Sequence, residues 1–144
     1  MQIKQLLKQN PCDNITVFGW VKTIRISKTM AFIALNDGSC LQNLQIIISC
    51  DLIDFEHIKQ IKTGYSISAN GSLVQSPTEH QFIELHAKSI HIIGTCADNY
   101  PLQKKYHVYE FLRELPHLRA RTNTFSAVFR IRSALTYIIH QFFQ

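Results

Sequence analysis

Five short runs of alternating apolar residues, interrupted once by a run with helical spacing, constrain this chain more than any other feature of its sequence. Alternation with a period of two places one face of a strand against a core, whereas a three-to-four spacing places one stripe of a helix there. Residues 14–26 carry Ile15, Val17, Gly19 and Val21 on one side, with an irregularity before Ile24 and Ile26 that suits a long, bent first strand. Residues 30–36 form the second run, the strong turn signal Asp37-Gly38 follows, and residues 41–49 form the third. The period then changes: Leu52, Phe55, Ile58 and Ile61 predict a helix over 51–62, with Asp51 as its N-cap and Gly64 just past its end. Alternation returns in residues 65–74, through Tyr65, Ile67, Ala69, Gly71 and Leu73, and after the turn SPTEHQ in residues 82–93. A short helix over 3–9, stopped by Asn10-Pro11, precedes the set.

Three strands, a helix and two more strands predict a mainly β chain, a five-stranded OB-fold barrel whose exposed strand face commonly binds oligonucleotides. The length of 144 residues suits about one domain, and 46% hydrophobic with 17% charged residues is ordinary for a globular fold. The net charge of +5 is unevenly placed: residues 1–97 hold eight Lys/Arg against seven Asp/Glu, and residues 98–144 hold seven against three. That asymmetry suits a polyanionic partner, although a surplus of this size is also common on proteins that bind no nucleic acid. Cys12, Cys40, Cys50 and Cys96 make no CxxC pair and no cluster at zinc spacing, so we expect free thiols and no metal site. The N-terminus has neither a secretory apolar run nor the arginines of a transit peptide, and no stretch reaches the ~18 apolar residues of a membrane span. The expected location is cytoplasmic.

Strand parity also predicts a binding face. If Ile33 and Leu35 point into the barrel, Phe32 points out; Gln45 turns away from Leu44 and Ile46, Glu84 away from Ile83 and Leu85, and Arg25 away from Ile24 and Ile26. An outward ring stacks on a base, while an amide, a carboxylate and a guanidinium offer donors and acceptors to a splayed base edge. Lys22 and Lys28 flank Arg25 and suit phosphates. Singly, each of these residues also fits a plain solvated or core position. The seven histidines are scattered, and parity puts His86 and His91 on opposite faces.

Beyond the strands, Tyr100-Pro101 breaks the pattern, and Lys104, Lys105, Arg113, Arg119 and Arg121 place five cations within eighteen residues. This fits a phosphate-facing hinge or a solvated basic linker. From the N-cap candidates Thr122 and Asn123 a last helix is expected to run to the terminus, with Val128, Ile131, Leu135, Ile138 and Phe142 spaced three, four, three and four apart. Nothing in the chain is expected to cover that seam, so the chain is expected to stop inside an element. We divide it into residues 1–98, the barrel; 99–123, the basic hinge; and 124–144, the truncated first helix of a further domain.

Read in order, YPLQKK, EFLR and HLRxRTNTF resemble the segment that links the anticodon-binding and catalytic domains of asparaginyl-tRNA synthetases, members of class IIb. Val17-Phe18-Gly19-Trp20-Val21, followed by Arg25, Phe32, Gln45 and Glu84, resembles the OB domain of the enzymes for Asn, Asp and Lys. The stretch DGSCLQNLQ, longer than in the aspartyl enzymes, is similar to the asparaginyl branch; Val108 departs from the serine usual there. The resemblance implies that Phe32 stacks on the middle anticodon base and that Arg25, Gln45 and Glu84 help to read the loop of tRNA(Asn). It further implies that the seam of the last helix is a homodimer interface, and that the whole enzyme attaches asparagine to tRNA(Asn) with ATP and Mg2+.

Class II enzymes of this kind also need an FRxE segment and a GxGxGxER segment. Neither occurs here: Ile131 and Arg132 follow Phe129-Arg130, and the five glycines never cluster. The chain is therefore expected to be catalytically inactive alone, with no catalytic residue and no cofactor of its own. Two other readings stay open, a stand-alone tRNA-binding module and a truncated, inactive remnant; a generic single-stranded DNA binder is a further one.

Overall fold

A computed structural model describes residues 1–51, 55–77 and 82–144. Two compact units divide it, Met1–Lys104 and Lys105–Gln144. In the first unit five strands close a barrel in the order β1-β2-β3-β5-β4. They are β1 (Cys12–Ile26), β2 (Met30–Asn36), β3 (Leu44–Ser49), β4 (Ser66–Gln75) and β5 (Ile83–Gly94), with the one-turn helices α1 (Ile3–Leu6) before β1 and α2 (Phe55–Ile58) before β4. All neighbours are antiparallel except β3 and β5.

Closure depends on the length of β1. Its first part, from Cys12 to Trp20, pairs with β4, and its second, from Trp20 to Ile26, pairs with β2. Trp20 stands opposite both Ser66 and Asn36, so it marks the bend where one partner replaces the other. Register shifts between Cys12 and Ile15 and between Val21 and Thr23 add the curvature, the second of them where the sequence broke its alternation. A closed barrel leaves no unpaired edge to recruit another strand.

Inside lie Val17, Val21, Ile33, Leu35, Leu44, Ile46, Ile48, Ile67, Leu73 and Leu85, each at most 1% exposed. Such side chains stabilise a fold by roughly 1.5–3 kcal/mol apiece relative to exposure. Ile3 and Leu6 join the same core, although four residues are too few for a helix to hold itself. The loop after β2 supplies the support: Asp37 Oδ2 accepts from the Ile3 N–H at 2.8 Å and Ser39 Oγ from the Lys4 N–H at 2.9 Å. Burial alone would raise the pKa of Asp37, but hydrogen bonds from the Ser39 hydroxyl and from the backbone N–H groups of Ile3 and Ser39 outweigh it and hold the carboxyl below its ordinary value.

Several expected boundaries move, each for a local reason. The third strand begins at Leu44 rather than at 41, because the two hydrogens of Asn36 Nδ2 are shared among Cys40 O, Gln42 O and Asn43 Oδ1, 2.9–3.2 Å away, and fold that stretch into a turn. The first helix stops at Leu6 rather than at 9. Among the described residues the second helix ends at Ile58 rather than at 62, with shorter-range turns carrying the chain on to Ile61. Asp51, the expected N-cap, accepts from Ser49 Oγ; the helix positions 52–54 that it was expected to cap, like 78–81 of the turn SPTEHQ, lie outside the described residues. Gly64 has φ +94, and a Cβ there would also strike the Tyr100 ring.

The second unit contains α3 (Tyr109–Arg113), a 3-10 turn at Arg119–Arg121 and α4 (Asn123–Phe143). The EFLR motif lies in α3, with Leu112 buried. Thr122 is the N-cap of α4, yet its hydroxyl donates to Arg119 O at 2.6 Å, so the expected side-chain cap does not form. The Arg119 guanidinium carbon stands 5.3 Å from the Phe125 ring centre and 5.7 Å from that of Phe129, a double cation–π contact. Val128, Ile131, Leu135, Ile138 and Phe142 are all exposed in this unit. No helix among the described residues is long and apolar enough to cross a membrane. Cys12, Cys40, Cys50 and Cys96 are free thiols.

Candidate nucleic-acid interface

The pairing of strands, more than their sequence order, assembles the outer face. Residues directly opposite one another across a pair emerge on the same side of a sheet. Arg25 is opposite Phe32, Phe32 opposite Ile47, Ile47 opposite His86, and His86 opposite Ser72. These five make one row around all five strands. The adjacent row runs Thr23, Ala34, Gln45, Glu84, Val74 by the same pairings. Arg25, Phe32, Gln45 and Glu84, expected on an outward face, therefore stand on two neighbouring rows of one surface.

Their exposures differ in a way that matters for chemistry. Arg25 is exposed, Phe32 and Gln45 are half-buried between buried neighbours, and Glu84 is only 7% exposed. Parity predicted that Glu84 points outward, away from Ile83 and Leu85. Register does turn it outward, opposite Gln45 and Val74, but its carboxylate is largely withdrawn from water and bonded to His86, with Nε2 3.0 Å from Oε1. A ring, an amide, a guanidinium and a sheltered carboxylate on one face suit a splayed base, which offers a π-face and a donor-and-acceptor edge.

Lys22 is the extra residue of the Val21/Thr23 bulge and is half-buried, whereas Lys28 is exposed in the β1–β2 turn beyond Arg25. Lys104 and Lys105 are exposed on the connecting segment and belong to neither row. His86 was not among the expected site residues. Its spacing of two from Glu84 was the available signal, since that spacing places both on one strand face.

Parity also put His86 and His91 on opposite faces, and here the structure corrects it. Asn70 is opposite Ser89 and Gly71 opposite Ala87, so Lys88 is an extra residue that inverts the alternation. His86 faces Ser72 and His91 faces Ser68, both on the outer side. At the same point β4 and β5 approach so closely that a Cβ on Gly71 would collide with the His86 carbonyl.

Comparison with known proteins bears on this face. Residues 15–93, more than half of the chain, match the tRNA anti-codon family, described as an OB-fold nucleic acid binding domain. The chain is 48% identical over 145 aligned residues to an asparagine–tRNA ligase of Desulfitobacterium hafniense, covering 99% of this chain and 31% of that protein. It is 51% identical over 142 residues to an asparagine–tRNA ligase of Pelobacter propionicus, covering 98% and 31%. It thus spans about a third of the length of the curated relatives it matches. The crystal structure of asparaginyl-tRNA synthetase from Pyrococcus horikoshii shares the fold, with a TM-score of 0.82 and 17% identity over 99% of this chain and 34% of that one. With a barrel closed as an OB-fold, and with relatives near half identity along its whole length, this chain belongs to the tRNA anti-codon family of OB-fold nucleic acid binding domains, in the form found in the N-terminal portion of asparaginyl-tRNA synthetases.

Proposed function

We propose that the outer face carrying Arg25, Phe32, Gln45 and Glu84 reads the anticodon loop of tRNA(Asn), as the anticodon-binding part of an asparagine–tRNA ligase. The observation that carries this is the register: Arg25 and Phe32 are direct partners, Gln45 and Glu84 are direct partners, and the two rows adjoin. In this reading Phe32 stacks on one base, Gln45 and Glu84 meet the edge of a neighbour, and Arg25 with Lys22 and Lys28 meets phosphates. Lys104 and Lys105 would add phosphate contacts along the connecting segment.

The whole ligase would join asparagine to tRNA(Asn) with ATP and Mg2+ in the cytoplasm. This chain carries neither FRxE nor GxGxGxER, so in this reading the chain alone neither forms an asparaginyl adenylate from ATP nor transfers asparagine to tRNA. ATP–pyrophosphate exchange with asparagine above a heat-treated control would refute that. The seam Val128, Ile131, Leu135, Ile138 and Phe142 of α4 would pair two subunits.

The test of the main reading is fluorescence anisotropy with three labelled probes: the anticodon stem-loop of tRNA(Asn), the same stem with a scrambled loop, and an unrelated single-stranded DNA. We expect the first to bind at least tenfold more tightly than the others. Equal affinity for all three would replace anticodon reading with generic single-strand binding.

A further inference from the structure

An ionised carboxylate as sheltered as Glu84 is costly unless paired. Its partner is His86, 3.0 Å away through Nε2. A carboxylate only accepts, so Nε2 must carry the proton, in the neutral as in the charged imidazole. The two residues lie in different rows: His86 belongs to the row of Phe32, between Ile47 and Ser72, and Glu84 to that of Gln45. The imidazole therefore ties the stacking row to the hydrogen-bonding row, and half of its own side chain remains exposed. The nearby acid, Asp13, is engaged elsewhere: Ser72 Oγ donates to its Oδ1 at 2.6 Å, and Lys88 Nζ lies 4.0 Å from the same oxygen.

We propose that His86 is a positioning residue for base recognition. Its Nε2–H holds one oxygen of Glu84 and leaves the other to accept from a ring N–H or exocyclic amine of a base lying over Gln45. A carboxylate fixed before the base arrives loses no rotamer freedom on binding, which is how a supporting hydrogen bond adds affinity without touching the ligand. The inference rests on the reading of this face as the anticodon-binding surface.

The test is a set of dissociation constants for the tRNA(Asn) anticodon stem-loop with the wild-type chain, His86→Ala, His86→Gln, Glu84→Gln, the double variant Glu84→Gln/His86→Ala, and Phe32→Ala. We expect His86→Ala to weaken binding about tenfold, as befits loss of one charge-assisted hydrogen bond. His86→Gln, whose amide N–H can replace Nε2–H, restores most of it. In the Glu84→Gln background His86→Ala adds less than twofold. A tenfold loss that persists in that background overturns the inference, because the imidazole would then act on the RNA directly. Wild-type binding by His86→Ala, with binding lost in Phe32→Ala, overturns it while leaving the face intact. Wild-type binding by both Phe32→Ala and Glu84→Gln overturns the anticodon reading itself. Should His86→Ala fail to fold, the imidazole 15N shifts of the wild-type chain decide: a protonated Nε2 is expected, and an unprotonated one overturns the inference.

Discussion

Gln45 and Glu84 stand side by side across the one parallel pair of the barrel, β3 with β5. In sequence they are far apart, with α2 and β4 between them before β5 returns beside β3. That adjacency puts an amide and a carboxylate at the reach of one base edge, next to the Phe32 ring, and several expectations follow from it.

Phe32→Ala should leave the barrel folded, because the ring is outside the core and its neighbours Ala31 and Ile33 carry the burial. Stacking on an aromatic contributes about 1–3 kcal/mol per base. Stem-loop affinity should therefore fall by one to two orders of magnitude with an unchanged circular dichroism spectrum.

Lys28→Gln should act through charge alone. Each phosphate contact on a single strand contributes about 0.7 to the slope of log K against log salt. A titration from low to physiological salt should show the slope reduced by about that amount, with discrimination between matched and scrambled loops retained.

Gly71→Ala has no room: the new methyl would meet the His86 carbonyl, which is backbone and cannot swing aside. Overpacking of this kind lowers stability by about 1–3 kcal/mol. Urea unfolding should show a lower midpoint, and stem-loop binding should weaken as well, because β5 moves together with His86 and Glu84.

Asp37 makes the barrel acid-sensitive. Its folded pKa lies below the ordinary carboxylate value, so its contribution is complete above that value and is lost as pH falls through the folded pKa. Asp37→Ala should destabilise the chain at neutral pH by about 1 kcal/mol, the usual net contribution of a hydrogen bond, since it removes the acceptor of the Ile3 N–H. In thermal melts the gap to wild type should narrow under acid conditions.

Ile138→Asp tests the seam of α4. Ile138 is 58% exposed within its unit, so the charge should not unfold the helix. Sedimentation velocity should show the wild-type chain as a dimer and the variant as a monomer.

Alternation along the chain was enough to find five strands and the outward side of Phe32 and Gln45, since burial on one face of a barrel writes itself directly into a period of two. The same rule failed at Lys88. A bulge costs one residue of alternation without changing composition, so His91 changed face with no local mark. Leu41 also looked like strand, but hydrogen bonds from the Asn36 amide to Cys40, Gln42 and Asn43 fold that stretch into a loop.

The sequence by itself determined the order of elements, the uneven charge, the motifs of the connecting segment and the family they resemble, because these depend on residue type and spacing along the chain. Tertiary structure decided that Gln45 adjoins Glu84, that Glu84 is sheltered and held by His86, and that two rows share one face. Those outcomes depend on register between strands distant in sequence, which is set when the whole barrel closes and its core packs.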